Sequence, residues 1–169
     1  MANDTVQSFS SISEAELTTP TSTQRFPLGL EVTTSNPFGT SVNRKVWKYV
    51  QADNALVIYG IYAIKGVYAS NAVKVKAVTP ATEDASQLFG VAPVAFTDEY
   101  YGFVQIEGDC TILATSSTAT AGNYVKVING AATVTDETTA QSTSSVALCK
   151  VTATGTSTTY TLLGLPVVI

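Results

Sequence analysis

From Phe26 onward, apolar and polar residues alternate with a period close to two, in short runs separated by clusters of Gly, Pro, Asn, Asp and Ser. That pattern predicts strands and turns. RKVWKYVQA (44–52) sets Val46, Lys48 and Val50 on one face against Trp47, Tyr49 and Gln51 on the other. ALVIYGIYAIKG (55–66) is almost continuously β-branched and aromatic, with Gly60 as a bulge or bend. AVKVKAV (72–78) alternates again, placing Lys74 and Lys76 on one solvated or edge-protecting face. LFGVAPVAF, YYGFVQIEG and DCTILA supply three short runs between 88 and 114, broken at Pro93, at Thr97–Glu99 and at Gly108.

In YVKVINGAATVT (124–135), Asn129-Gly130 sits between two alternating runs and predicts a two-residue hairpin turn with both residues at positive φ. VALCKVTAT (146–154) and TYTLLGLPVVI (159–169) close the series, and FPLGLEVT (26–33) opens it as a short strand whose Pro27 suits an edge or first position. TPATEDASQLFG (79–90) has room for one helical turn. Strands every 8–12 residues with turn signals between them define an all-β chain, either a compact β-barrel (β-tulip-like) or a sandwich. No internal repeat emerges.

Residues 1–25 differ in kind. Their apolar residues, among them Phe9, Ile12 and Leu17, are isolated by polar ones. So little apolar area does not offset the entropy of ordering the segment, which is expected to be mobile alone. SISEAEL can form one helical turn capped by Ser11 or Ser13. The chain therefore divides into an extended N-terminal arm (1–25) and a β-domain (26–169). The arm is either a clasp that folds against something else or a frayed end, and its removal up to residue 24 is expected to leave the β-domain folded.

Composition narrows the chemistry. The chain has 169 residues, enough for one domain with a real core. Only 13% of residues are charged, the net charge is −4, and the nine Lys and Arg form no basic stripe, so no nucleic-acid partner is expected. Histidine is absent, which removes the usual general base near neutral pH and the commonest metal ligand. Cys110 and Cys149 lack metal-ligand spacing. They read as buried apolar side chains, with one disulfide as the alternative. The start MANDTVQSFSS has no basic or apolar signal region, and the longest apolar run is too short to span a bilayer, so synthesis in a cytoplasm and no membrane partner are expected.

The acidic pairs Glu83-Asp84, Asp98-Glu99 and Asp136-Glu137 are the candidates for carboxylate chemistry. Neighbouring residues in a turn rarely aim at one substrate atom, and no loop carries an alternating Asp/Asn series for calcium. No Ser or Thr has a histidine or a nucleophile elbow. The chain reads as a non-enzyme with no cofactor and no metal. Trp47, Tyr49, Tyr100 and Tyr101 are the candidate surface contacts, able to stack on a sugar; cross-strand aromatic packing is the competing reading.

The order of segments carries a resemblance. A polar arm, FPLGLEVTT (26–34), KVWKYVQADNALVIYGIYAI (45–64), LFGVAPVAFTDEYYGFVQIEGDCTILA (88–114) and AGNYVKVINGAATVT (121–135) together resemble the small head-decoration (cement) proteins of tailed bacteriophages. YGFVQIEG (101–108) beside GVAPVAF is the most distinctive piece. The resemblance implies a β-barrel-like module that assembles as a trimer on the capsid exterior and bridges subunits of the major capsid protein. It implies that the arm clasps a neighbour or the shell, with Phe9, Ile12, Leu17 and Phe26 as contact residues. It brings no catalytic residues. A carbohydrate-binding or head-fibre module of the virion is the alternative.

Overall fold

The computed structural model describes residues 12–34, 45–69, 72–79, 88–108, 110–114, 124–127, 130–137, 147–150 and 159–162. The chain is all-β, as the alternation requires. The one described helix, α1 (Glu14–Leu17), is a single turn. Eleven strands follow among the described residues: β1 (Glu31–Thr34), β2 (Lys45–Ala52), β3 (Ile61–Ala69), β4 (Ala72–Val78), β5 (Leu88–Val91), β6 (Tyr101–Glu107), β7 (Cys110–Leu113), β8 (Tyr124–Val127), β9 (Val134–Glu137), β10 (Ala147–Lys150) and β11 (Thr159–Leu162).

Five of these close into a barrel in the order β2-β4-β3-β5-β6, with β6 pairing back onto β2, and β1 adds to the outside of β2. All contacts around the ring are antiparallel except β2–β4. Closure leaves no free edge in the ring. Strands β8, β9 and β10 form a separate three-stranded sheet, and β11 pairs with β7.

Inside the barrel lie Val50, Ala52, Leu56, Tyr62, Ile64, Ala77, Ala92, Phe96 and Val104. Two further clusters flank it. One holds Leu17, Trp47, Tyr49 and Phe103 under the N-terminal segment. The other holds Ile61, Ala63, Phe89 and Val91 under Cys110, Ile112 and Val134. Strand β2 is therefore buried on both faces, although its sequence alternates.

The ring has an internal two-fold relationship. Shifting residue numbers by forty carries the β2–β6 pairs Gln51↔Tyr101, Val50↔Gly102 and Tyr49↔Phe103 onto the β3–β5 pairs Ile61↔Val91, Tyr62↔Gly90 and Ala63↔Phe89. The isolated bridge Leu56↔Phe96 maps onto itself, so the axis passes through it. The bond from Ala52 N–H to Tyr100 O (2.8 Å) has its twin from Ala92 N–H to Gly60 O (3.0 Å). No repeat was expected from the sequence; of the residues related by this shift between 45 and 69, only Ala52/Ala92 and Ala55/Ala95 are identical.

The flank covers obey the same relationship. Tyr101 N–H donates to Thr21 O (2.9 Å), and its counterpart Ile61 N–H donates to Ala132 O (3.1 Å). In the β8–β9 hairpin the described ladder runs to Val127↔Val134. Of the expected Asn129-Gly130 turn, Gly130 takes positive φ, and Asn129 lies outside the described residues. Strand β1 starts later than expected, since Pro27–Leu30 forms a turn with Gly29 at φ 85° and Leu30 N–H bonded to Pro27 O. Residues 56–60 of the expected 55–66 strand form the bridge and a turn instead.

The described part of the arm, from residue 12, packs on the domain that follows it. Ser13 and Glu16 form a reciprocal capping box on α1, as the SISEAEL pattern allows. From there the segment lies on the barrel's own surface. Leu17 is buried with Trp47, Tyr49 and Phe103, and Ile12 and Phe26 pack against the same cluster. Thr21 pairs with Tyr101, and Arg25 N–H donates to the Tyr49 hydroxyl (3.0 Å). The boundary at residue 25 is therefore no boundary in packing. Ile12, Leu17 and Phe26 are engaged within the chain, because a half-aromatic strand face supplies the apolar partner that the segment lacks alone. Phe9 lies outside the described residues.

Candidate functional site

The two-fold relationship produces two turns, one from each half, that leave the central bridge and re-enter the barrel. Val57–Gly60 precedes β3, and Thr97–Tyr100 precedes β6. Each is closed by one backbone bond of 3.1 Å, from Gly60 N–H to Val57 O and from Tyr100 N–H to Thr97 O. Each holds a non-glycine residue at φ 61°, Tyr59 in one and Glu99 in the other. Such a conformation costs of order 1 kcal/mol or more and persists only where surroundings dictate it. Here the dictating element is the barrel closure common to both halves.

Turns that share this bond and this φ carry opposite chemistry. Around Glu99 the structure assembles a polar brace. Lys76 Nζ donates to Asp53 Oδ1 (2.7 Å) and to Glu99 Oε1 (3.3 Å), and Gln51 Nε2 donates to Glu99 Oε2 (2.6 Å) and to the Tyr101 hydroxyl (3.2 Å). The ammonium lies beneath, 14% exposed, while the Asp53 and Glu99 side chains are 39% and 56% exposed. The hydrogen bond to Asp53, chiefly, raises the Lys76 pKa above the ordinary lysine value. Gln51 is 3% exposed, and its Oε1 has no bonding partner.

At the twin turn the counterparts of Gln51, Asp53, Glu99 and Tyr101 are Val91, Pro93, Tyr59 and Ile61. Val57 N–H there donates to the buried Tyr62 hydroxyl (2.7 Å). Val57 and Ile58 project outward at 47% and 45% exposure, two of the three exposed large hydrophobics among the described residues.

Trp47 and Tyr49, expected as surface contacts, are buried. Trp47 Nε1 donates to Thr34 Oγ1 (3.0 Å), and Tyr49 packs with Phe26 and Phe103 at ring centroids of 5.3 and 4.9 Å. The arm covers the strand face that would otherwise present them. Tyr100 and Tyr101 remain half-buried, with Tyr101 packed against the arm-side cluster. In the turn Asp98–Tyr101 both Glu99 carboxylate oxygens accept hydrogen bonds, from Gln51 Nε2 and Lys76 Nζ. Among the described residues no group of three or more Cys, Asp or Glu is placed to hold a metal ion, and no helix is long and apolar enough to cross a membrane. Cys110 is buried in the flank cluster; the Cys149 side chain lies outside the described ones, as do those of Glu83, Asp84, Asp136 and Glu137.

The sequence reading did not find Val57, Ile58 or the brace of Gln51, Asp53 and Lys76. The run 55–64 looked like a buried strand, and the pairing of Lys76 with carboxylates 23 residues to either side follows only from the parallel β2–β4 contact. The chain matches no protein-family model, no curated protein and no solved structure.

Proposed function

We propose that the chain is a structural protein of a virion, attached as a homotrimer to the exterior of a tailed-bacteriophage capsid, where it bridges subunits of the major capsid protein. The observation that carries this reading is the exposed Val57–Ile58 turn on a closed barrel, beside a second turn of the same backbone bearing carboxylates. A preformed footprint loses little entropy on docking, and symmetry multiplies modest contacts into firm adhesion. The resemblance of the β5–β6 segment, GVAPVAFTDEYYGFVQIEG, to cement proteins agrees with it. In this reading the protein makes no bond, needs no cofactor, binds neither nucleic acid nor membrane, and is made in the host cytoplasm before joining the shell. A glycan-binding role would have to manage without Trp47 and Tyr49, which are buried.

The test is addition of purified protein to shells of its virus that lack it. Co-sedimentation with the shells at micromolar protein, trimeric mass by analytical ultracentrifugation, and raised resistance of the shells to heat support the reading. A monomer that leaves the shells untouched overturns it.

A further inference from the structure

We infer that the end of the barrel crossed by the two-fold axis is the docking face, and that it accepts a protein surface with an apolar socket bordered on one side by lysine or arginine. This rests on the capsid-binding reading and names the surface of the chain that would carry it. Leu56 and Phe96 turn their side chains inward at the axis, so their neighbours Ala55, Val57, Ala95 and Thr97 turn outward and are exposed. The result is an exposed surface in which Ala55, Ala95 and Thr97 lie between Val57 and Ile58 of one turn and Asp98 and Glu99 of the other.

Three observations favour a partner of that chemistry. The arm's described apolar residues, Ile12 and Leu17, are spent on the barrel itself, and Val57 and Ile58 stand exposed on a hydrogen-bonded turn. Exposed apolar side chains on a rigid turn are what an adhesive contact uses. The opposite turn is acidic: Asp98, Glu99 and Asp53 face water, against one ammonium tucked beneath them. Complementary charge on the partner is therefore positive.

The twin turn also shows that the acidic character is not demanded by the fold. Tyr59 keeps φ at 61° with Val91, Pro93 and Ile61 around it, whereas the polar version leaves Gln51 Oε1 buried without a donor. A backbone two-fold alone would let a partner dock in two orientations. The unlike side chains, Ile58 facing Asp98 across the axis, permit one.

The experiment measures co-sedimentation of the full chain with shells lacking it, at about 50 mM and about 500 mM salt, where screening lengths differ roughly threefold. Val57→Ser/Ile58→Ser is expected to weaken binding about tenfold or more at both salt concentrations, the scale of a lost apolar anchor. Asp98→Lys, at an exposed position, is expected to weaken it about tenfold at low salt and by less than about threefold at high salt. Should the double variant melt well below the parent, Ile58→Lys alone replaces it with the same expectation. Wild-type affinity in either the apolar or the acidic variant overturns this assignment while leaving capsid binding intact. Failure of the wild-type chain to bind shells overturns both.

Discussion

Leu56 and Phe96 exchange both of their backbone hydrogen bonds, at 3.0 and 2.9 Å, and each is the other's counterpart under the internal two-fold. Their side chains meet in the barrel interior, so the fold's symmetry element and its core coincide. Replacing either with Ala leaves a cavity on the axis and should cost about 2–5 kcal/mol in urea unfolding. Because the two share that cavity, the double variant should lose measurably less than the sum of the single losses. Strict additivity would show that they do not pack as one unit.

Small residues make the crossing possible. Two interior cross-strand pairs set a glycine against a larger residue, Val50 with Gly102 and Tyr62 with Gly90. A Cβ at Gly102 would lie 2.6 Å from the Phe96 ring, and one at Gly90 would lie 2.8 Å from Val104. Gly102→Ala should therefore destabilise by about 1–3 kcal/mol through overpacking. Phe96→Leu, introduced into that variant, should restore part of the loss although it destabilises the parent. A double-mutant cycle by chemical denaturation reads the sign directly.

Much of the architecture was legible because period-two alternation is set by burial. Strands β2, β4, β5, β6 and β7 fall where the pattern put them, and 72–78 matches end to end. The internal repeat was not legible. It is kept in backbone course and in apolar character, as with Leu56/Phe96 and Ile64/Val104, while identity is almost gone. The acidic turn was noticed but its brace was not, since Gln51, Asp53 and Lys76 reach Glu99 only after the barrel closes. Trp47 and Tyr49 stood between surface contact and aromatic packing for a related reason: alternation tells which residues share a face, not what covers it, and here the face is covered.

The cover makes a prediction opposite to the one the sequence suggests. Deleting residues 1–24 removes Leu17 from its cluster and Thr21 from its pairing with Tyr101. The truncated chain should unfold at clearly lower denaturant concentration, and Leu17→Ala alone should cost about 2–5 kcal/mol. Trp47 is the chain's single tryptophan, so its fluorescence reports this cluster alone. A red-shifted emission is expected in the truncated form; unchanged emission and stability would mean that the arm does not pack here.

Acid should loosen the same segment first. The pKa of Glu16 is lowered, chiefly by the hydrogen bond from the Ser13 N–H (2.9 Å). A depressed carboxylate contributes stability that is present above its unfolded pKa and lost as pH falls through its folded one. Protection of the α1 amides against hydrogen exchange, taken relative to their intrinsic rates, should therefore fall below about pH 4, and Glu16→Gln should remove that dependence. An unaltered profile in Glu16→Gln would assign the acid response to another group.

At the alkaline end two groups act in the same direction. Burial raises the Tyr62 pKa, outweighing the bond from Val57 N–H, and the hydrogen bond to Asp53 leads the rise at Lys76. Both hold their protons in the folded chain at pH values where the unfolded chain has released them. The folded state then binds more protons, so stability falls as pH rises. Their contribution is fully present below about pH 10 and is lost progressively above it. Unfolding free energies measured from pH 8 to 11.5 should thus decline, and Lys76→Met, although less stable at pH 8, should decline less steeply. The two losses should separate further in Tyr62→Phe, where no phenol remains to ionise. A slope identical in all three proteins would place the alkaline transition outside the brace and the buried phenol.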